Sequence, residues 1–234
     1  MSLKAVLFDF NGVIINDESI HQELINEIVL AENLRPPDDE EYRRICLGRS
    51  DRACIKDILS RRGRVISDDY LNTSIASKTK AYQQKLAELA NLPIYPEIKA
   101  VMAQIQAAEL AIAVVSGALK TEIELILDRA DLKQYVSVIV AGDDITASKP
   151  EPNGYLLAVE RLNKHDPTLQ LKSSECLAIE DTEAGIEAAK KAGMQVLGVA
   201  NTYPMHMLQR QANWAVDYLS ELELDRIKQV FEEV

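Results

Sequence analysis

The 234-residue chain lacks the features that would assign it to several large functional classes. Nowhere do about 18 apolar residues run together, so no segment would cross a bilayer as a helix. The apolar stretch after Lys4 is too short for an export signal. Neither export nor a membrane partner is therefore expected. Clustered basic residues are also scarce, Arg61-Arg62-Gly63-Arg64 being the best group, and it reads as a solvated helix end. With a net charge of -11 and a pI near 4.9, a nucleic-acid partner is not expected. Cys46, Cys54 and Cys176 have neither metal-ligand spacing nor an even count, which points to buried, inert thiols in a reduced, cytoplasmic setting. Internal repeats and low-complexity tracts are absent. A hydrophobic content of 47% remains, enough to fill the core of one sizeable domain or of a domain carrying an insert.

The most informative stretch is Lys4-Ala-Val-Leu-Phe-Asp9-Phe-Asn11-Gly12, an apolar run that stops at a carboxylate, a polar residue and a glycine. It predicts a buried strand presenting Asp9 at the carboxyl edge of a parallel sheet, where open α/β sheets bind ligands. Gly12 lets the chain turn away, so that Asp9 and the backbone of Asn11 face one small volume. An aspartate there can serve as nucleophile, metal ligand or both. It can also do no more than hold a loop turn.

From about Asn16 to Asn91 the chain is charged and helically periodic, predicting an all-helical insert. Ser19-Ile-His-Gln22 resembles a helix start, with Ile20, Leu24, Ile28 and Leu30 as the apolar face. Pro36-Pro37-Asp38-Asp39 breaks that helix, Ser50 caps another, and residues 71–89 form a long returning helix. Beyond Leu92 the rhythm becomes strand, loop, helix, with strands over 110–115, 136–141, 175–179 and 195–200. Such alternation predicts an α/β fold, a doubly wound parallel sheet, with the division 1–15 core, 16–91 helical cap and 92–234 core.

Each strand stops at residues suited to phosphate chemistry: Asp9, Ser116-Gly117, Lys149 beyond the Asp143-Asp144 loop, and Glu180-Asp181. In a parallel sheet these ends converge. Asp9, Asp181 and Glu180 would form a hard oxygen site for Mg²⁺, or an acidic cluster that holds loop turns. The Ser116 hydroxyl, with the amides of Gly117 and Ala118, suits phosphoryl oxygens, although Ser-Gly is also a common helix cap. Lys149 suits charge balance on nucleophile and phosphate.

In this order the four motifs resemble those of the haloacid dehalogenase-like hydrolase superfamily: Asp9-Phe-Asn-Gly-Val, Val-Val-Ser116-Gly, Ser-Lys149-Pro-Glu-Pro and Ile-Glu180-Asp181-Thr-Glu-Ala-Gly. The resemblance runs over essentially the whole chain. A helical insert directly after the first motif is similar to the mobile cap of the branch containing phosphoglycolate phosphatase and β-phosphoglucomutase. This resemblance implies a Rossmann-like core and Mg²⁺-dependent phosphoryl transfer through an aspartyl-phosphate on Asp9. Ser116 and Lys149 would bind the phosphoryl group, and Asp9, the Asn11 carbonyl and Asp181, assisted by Glu180, would hold the metal. The partner would be a small phosphorylated metabolite, and the protein a monomer or homodimer.

Two departures from the family pattern lie in the first loop. Asn11 stands where most of these phosphatases carry the aspartate that protonates the leaving oxygen and then activates water, and Asn16 replaces an acidic residue. Loss of such acid–base help typically costs 10²–10⁴-fold. Three expectations follow: a phosphatase that is slow or restricted to acyl and aryl phosphates, a silent sensor of a phosphometabolite, or replacement of the acid by His21, with Asp17 and Glu18 nearby. Mutase chemistry fits less well, because it needs the missing acid and because Leu119 stands where β-phosphoglucomutase carries a phosphate-binding lysine. Within the insert, Gly48-Arg49-Ser50-Asp51-Arg52 resembles the substrate-specificity loop of the branch. Arg49 is the candidate for a substrate carboxylate or second phosphate.

Overall fold

The computed structural model describes residues 2–233. Among them, six strands form one parallel sheet: β1 (Ala5–Phe8), β2 (Ala111–Val115), β3 (Val138–Val140), β4 (Cys176–Glu180), β5 (Gln195–Val199) and β6 (Trp214–Val216). Their order is β3-β2-β1-β4-β5-β6. β1 is thus central, paired on both sides, and its residues are fully buried.

Successive side chains of a strand point to opposite faces, which explains why these apolar runs are nearly continuous. Val6, Phe8, Ile112, Val114, Leu177 and Ile179 enter one core cluster. Ala5, Leu7, Ala113, Val115, Cys176 and Ala178 enter another on the opposite face. The helices α5 (Ile98–Ala107), α6 (Lys120–Arg129) and α10 (Leu224–Glu233) cover the first cluster, and α7 (Asn153–His165), α8 (Glu183–Lys191) and α9 (Met205–Leu208) cover the second.

Between β1 and α5 lies the helical cap, built from α1 (Glu18–Ala31), α2 (Asp39–Ile45), α3 (Asp51–Arg61) and α4 (Asp68–Glu88). It has its own core, including Ile25, Val29, Tyr42, Ile55, Ile58 and Leu71. Asp38, Ser50 and Ser67 cap α2, α3 and α4 by accepting from backbone amides. Among the described residues no helix is long and apolar enough to cross a membrane.

Three expectations are corrected. The buried face of α1 is His21, Leu24, Ile25 and Val29, whereas Leu30 is exposed. The helix begins at Glu18, ahead of its Ser19 signal, and its buried face is carried by His21, Ile25 and Val29, one position on from Ile20, Leu24 and Ile28. Asp17 precedes α1 without capping it, because its carboxylate is engaged elsewhere. Cys46 and Cys54 are not free thiols: they are joined in a disulfide with Cα atoms 4.7 Å apart. Cys46 ends α2 and Cys54 lies in the first turn of α3, so the tight turn at Gly48 brings them face to face. Only Cys176 is a buried free thiol, pushed up to about 12 by burial and then by Glu175.

Candidate active site

The carboxyl ends of β1, β2 and β4 deliver Asp9, Ser116 and Glu180-Asp181 to one region, and the loop after β3 brings Lys149 to it. Lys149 Nζ stands 2.7 Å from Asp9 Oδ1 and 2.6 Å from Glu180 Oε1. All three residues are buried. The same Glu180 oxygen accepts from the Tyr155 hydroxyl, while its other oxygen accepts from Thr182 Oγ1 at 3.3 Å. Burial depresses the Lys149 ammonium, but the flanking carboxylates of Asp9 and Glu180 outweigh it and hold the lysine charged.

One lysine does not neutralise three carboxylates. Burial, and then repulsion from Glu180, lifts Asp9 to about 7 against the pull of Lys149. Burial, followed by repulsion from Asp9 and Glu180, pushes Asp181 well above the carboxylate range. Asp9, Glu180 and Asp181 each offer an oxygen, all within 4.8 Å of one another. Thr202 donates to Asp181 Oδ2, but the buried Asp181 Oδ1 has no hydrogen-bond partner. An all-oxygen donor set with excess negative charge and an orphaned oxygen fits a hard divalent cation.

Gly12 makes this arrangement possible. Its φ is +83°, and a Cβ there would fall 1.9 Å from Asp181 Oδ2. Asn201 Nδ2 donates to the Gly12 carbonyl at 2.7 Å, fixing the turn.

A second buried network lies across the site. The Asn11 amide donates to both oxygens of Asp17, at 3.0 and 3.1 Å, and Tyr82 donates its hydroxyl to the same carboxylate. His21 stacks on Tyr82 and sets Nε2 3.3 Å from Asp17 Oδ2. Lys78 Nζ lies 2.6 Å from His21 Nδ1 and 2.8 Å from Asp51 Oδ2. With the Lys78 ammonium as donor, Nδ1 accepts, and the neutral ring then carries its proton on Nε2, toward Asp17. Burial raises the Asp17 carboxyl, but the charge and hydrogen bonds of its partners overcome this, and it lies below its ordinary value.

A narrow cavity of about 40 Å³ lies between cap and core and is lined by members of both networks. Asp9, Asn11, Asp181, Ser116, Gly117 and Ala118 line it from the core. His21 and Arg49 line it from the cap. Ser116 Oγ accepts from the Ala118 amide at 3.0 Å and faces Asn11 Oδ1 at 3.4 Å. Arg49 Nη1 is bound to the Ile45 carbonyl and to Asp57, at 2.9 and 2.7 Å, while its buried Nε has no partner.

The candidate site residues Asp9, Asn11, His21, Arg49, Ser116, Gly117, Ala118 and Asp181 therefore line this one cavity, with Lys149 and Glu180 behind Asp9. Tyr155, Thr202, Lys78 and Tyr82 escaped sequence reasoning. For the last two a signal existed: Leu71, Lys78, Tyr82 and Leu86 share the buried face of α4, and a lysine in such a stripe needs a partner.

Residues 6–199 match the haloacid dehalogenase-like hydrolase family. The chain belongs to that family. A phosphorylated carbohydrates phosphatase of Thermotoga maritima is 27% identical to it over 202 residues, covering 86% of this chain and 87% of its own. A β-phosphoglucomutase of Bacillus subtilis is 28% identical over 235 residues, covering 99% and 96%. Among solved structures, a mutant CbbY from Rhodobacter sphaeroides in complex with xylulose-(1,5)bisphosphate has a TM-score of 0.80 at 25% identity, covering 94% and 96%. Membership accounts for the parallel core and the inserted helical cap.

Proposed function

We propose that the protein is a Mg²⁺-dependent phosphoric monoester hydrolase acting on a small phosphorylated metabolite, in the cytoplasm, through an aspartyl-phosphate on Asp9. The observation that carries this reading is Asp9 itself, buried at the cavity floor with Lys149 on one oxygen and the partnerless Asp181 oxygen beside it. The phosphatase and phosphoglucomutase relatives support a sugar-phosphate-like substrate.

In this proposal Asp9 attacks the phosphorus, the ester P–O bond breaks, and water then hydrolyses the acyl phosphate to restore Asp9. Ser116 and the amides of Gly117 and Ala118 receive phosphoryl oxygens, and Lys149 offsets the charge on Asp9. Asp9, Asp181 and the Asn11 carbonyl would hold Mg²⁺, which would supply positive charge to offset that of the phosphoryl group. Glu180, with both oxygens already hydrogen-bonded, serves as a ligand more weakly than Asp181 and chiefly positions Lys149. Arg49 takes a remote anionic group of the substrate. The cap comprises residues 16–91 and moves about Asn16 and Leu92-Pro93, where the Asn16 amide bonds to the Pro93 carbonyl at 2.8 Å.

Asn11 cannot protonate an alkoxide. Turnover is therefore attenuated for alkyl phosphates unless His21, whose Nε2 lies 3.2 Å from the Asn11 side-chain nitrogen, supplies the proton instead. The test is phosphate release with Mg²⁺ from an aryl and an alkyl phosphate by wild type, Asn11→Asp and Asp9→Asn. Aryl phosphate is turned over faster than alkyl, and Asp9→Asn abolishes both. Tight phosphometabolite binding without turnover in any variant would instead establish a sensor.

A further inference from the structure

Cys46 and Cys54 are bonded within the wall of the catalytic cavity, and both line it together with Asp9. We propose that this pair is a reversible redox-modification site, whose disulfide fixes the substrate-facing loop of residues 47–53 over the site and whose reduction releases that loop. The inference rests on the phosphatase reading for its kinetic consequence, but not for the bond itself.

The enclosed loop is where cap meets core. Its Ser50 amide donates to Ser148 Oγ at 2.7 Å, one residue from Lys149. The backbone of Arg49 and Ser50 approaches Gly117 so closely that a Cβ there would lie 2.8 to 2.9 Å from it. Gly117 in turn follows Ser116. Asp51 Oδ2 accepts from Lys78 at 2.8 Å, tying the loop to the His21 network. A shift of this loop is therefore felt one residue away from Ser116 and from Lys149.

Two links join the end of α2 to α3 around the loop: the disulfide, and the Arg49 guanidinium, which bonds to the Ile45 carbonyl and to Asp57. With the disulfide gone, only non-covalent links hold the two helices, Arg49 to the Ile45 carbonyl and Asp57 beside the loop and Arg62 to Glu41 at the far end, so the loop between Cys46 and Cys54 loses its one covalent closure. A crosslink between residues eight apart acts by restricting the loop's alternatives, so its loss loosens the loop without unfolding the cap.

The chemistry is thiol–disulfide exchange with a small disulfide such as oxidised glutathione. One cysteine thiolate attacks it and expels a glutathione thiolate. The second cysteine thiolate then attacks the mixed disulfide and expels another. The two protons lost by the cysteines appear on the two glutathione thiols, and the oxidant takes up two electrons. Both cysteines are buried within the cap on the side that lines the cavity, so exchange requires the cap to lift from the core. A closed cap slows exchange in both directions, and the equilibrium moves toward the disulfide on ligand binding by the factor by which the disulfide favours ligand. Cys176, buried in β4 and held protonated, takes no part and serves as an internal control.

The test equilibrates the full chain in glutathione buffers of graded ratio, with and without inorganic phosphate and Mg²⁺. Maleimide labelling with peptide mass analysis reads the redox state of each cysteine, and p-nitrophenyl phosphate turnover and phosphate affinity are measured on the same samples. Cys46 and Cys54 are expected to titrate together while Cys176 stays unlabelled, and phosphate with Mg²⁺ is expected to shift the midpoint toward the disulfide. On reduction, KM and the phosphate dissociation constant rise on the order of tenfold. The Cys46→Ser/Cys54→Ser variant should behave as the reduced form in every buffer. Thiols at 46 and 54 that stay free in the most oxidising buffer, a bond that resists excess dithiothreitol in the folded protein, or KM and affinity that match across all buffers and in the double variant would each overturn the proposal. Absence of turnover with a redox-dependent phosphate affinity would overturn the phosphatase reading and leave the switch standing.

Discussion

The Asn11 amide nitrogen lies between the two carboxylate oxygens of Asp17, 3.0 Å from one and 3.1 Å from the other. An acid at position 11 would face a buried carboxylate at hydrogen-bond distance, a geometry that two ionised groups cannot keep. The asparagine and the aspartate are complementary and have to be read as a pair.

Asn11→Asp is therefore expected to destabilise the protein by about 1–3 kcal/mol while leaving one carboxyl of the pair protonated near neutral pH. A protonated carboxyl is what a poor leaving group needs, so alkyl-phosphate turnover should rise on the order of 10²-fold and aryl-phosphate turnover little. Adding Asp17→Asn should recover part of the stability. Denaturant melts of the four proteins form the double-mutant cycle, and additive changes would show that the two residues are uncoupled.

Lys149 is a buried cation between two buried carboxylates. Lys149→Met removes the cation and leaves both anions without it, for an expected loss of about 3–5 kcal/mol in the metal-free protein. Mg²⁺ should restore part of that stability and none of the phosphate affinity. Thermal melts with Mg²⁺ and with a chelator provide the comparison.

Gly12→Ala would place a methyl on the Asp181 carboxylate at a backbone conformation that L residues rarely adopt. A loss of about 1–3 kcal/mol is expected, with a disproportionate loss of Mg²⁺ affinity because the displaced oxygen belongs to the metal cluster. Isothermal titration with Mg²⁺ reads the second effect separately from the first.

Asp9 and Asp181 have carboxyl groups raised above their unfolded values, Asp9 to about 7. In the metal-free protein they bind more protons when folded than when unfolded, so their contribution to stability falls as pH rises from about 4 through 7. A bound cation removes that loss by competing with the protons. The gain in Tm on adding Mg²⁺ should therefore grow between pH 5 and pH 8, and it should shrink in Asp9→Asn. A gain independent of pH would mean that the cation binds elsewhere.

The fold was legible wherever an apolar run ended abruptly. Asp9, Ser116 and Glu180-Asp181 each close a strand with no room for polar residues in it, so burial pattern and chemistry coincide. β6 was not, because Trp214–Val216 is three half-buried residues at a sheet edge and carries no such run. Partners contributed from distant segments were invisible as well. Tyr155 and Thr202 look ordinary until helix packing sets one on Glu180 and a loop sets the other on Asp181. The Cys46–Cys54 bond was concealed by an odd cysteine count, which parity alone cannot divide into a pair and a remainder.

Phosphorylation of Asp9 during turnover is open to direct observation by rapid-quench mass spectrometry of wild type with acetyl phosphate and Mg²⁺. One phosphoryl group is expected on the peptide containing Asp9, accumulating in wild type because Asn11 cannot activate water, short-lived in Asn11→Asp and absent from Asp9→Asn. Phosphate release with no phosphoryl group on that peptide in wild type, or equal release by Asp9→Asn, would contradict it.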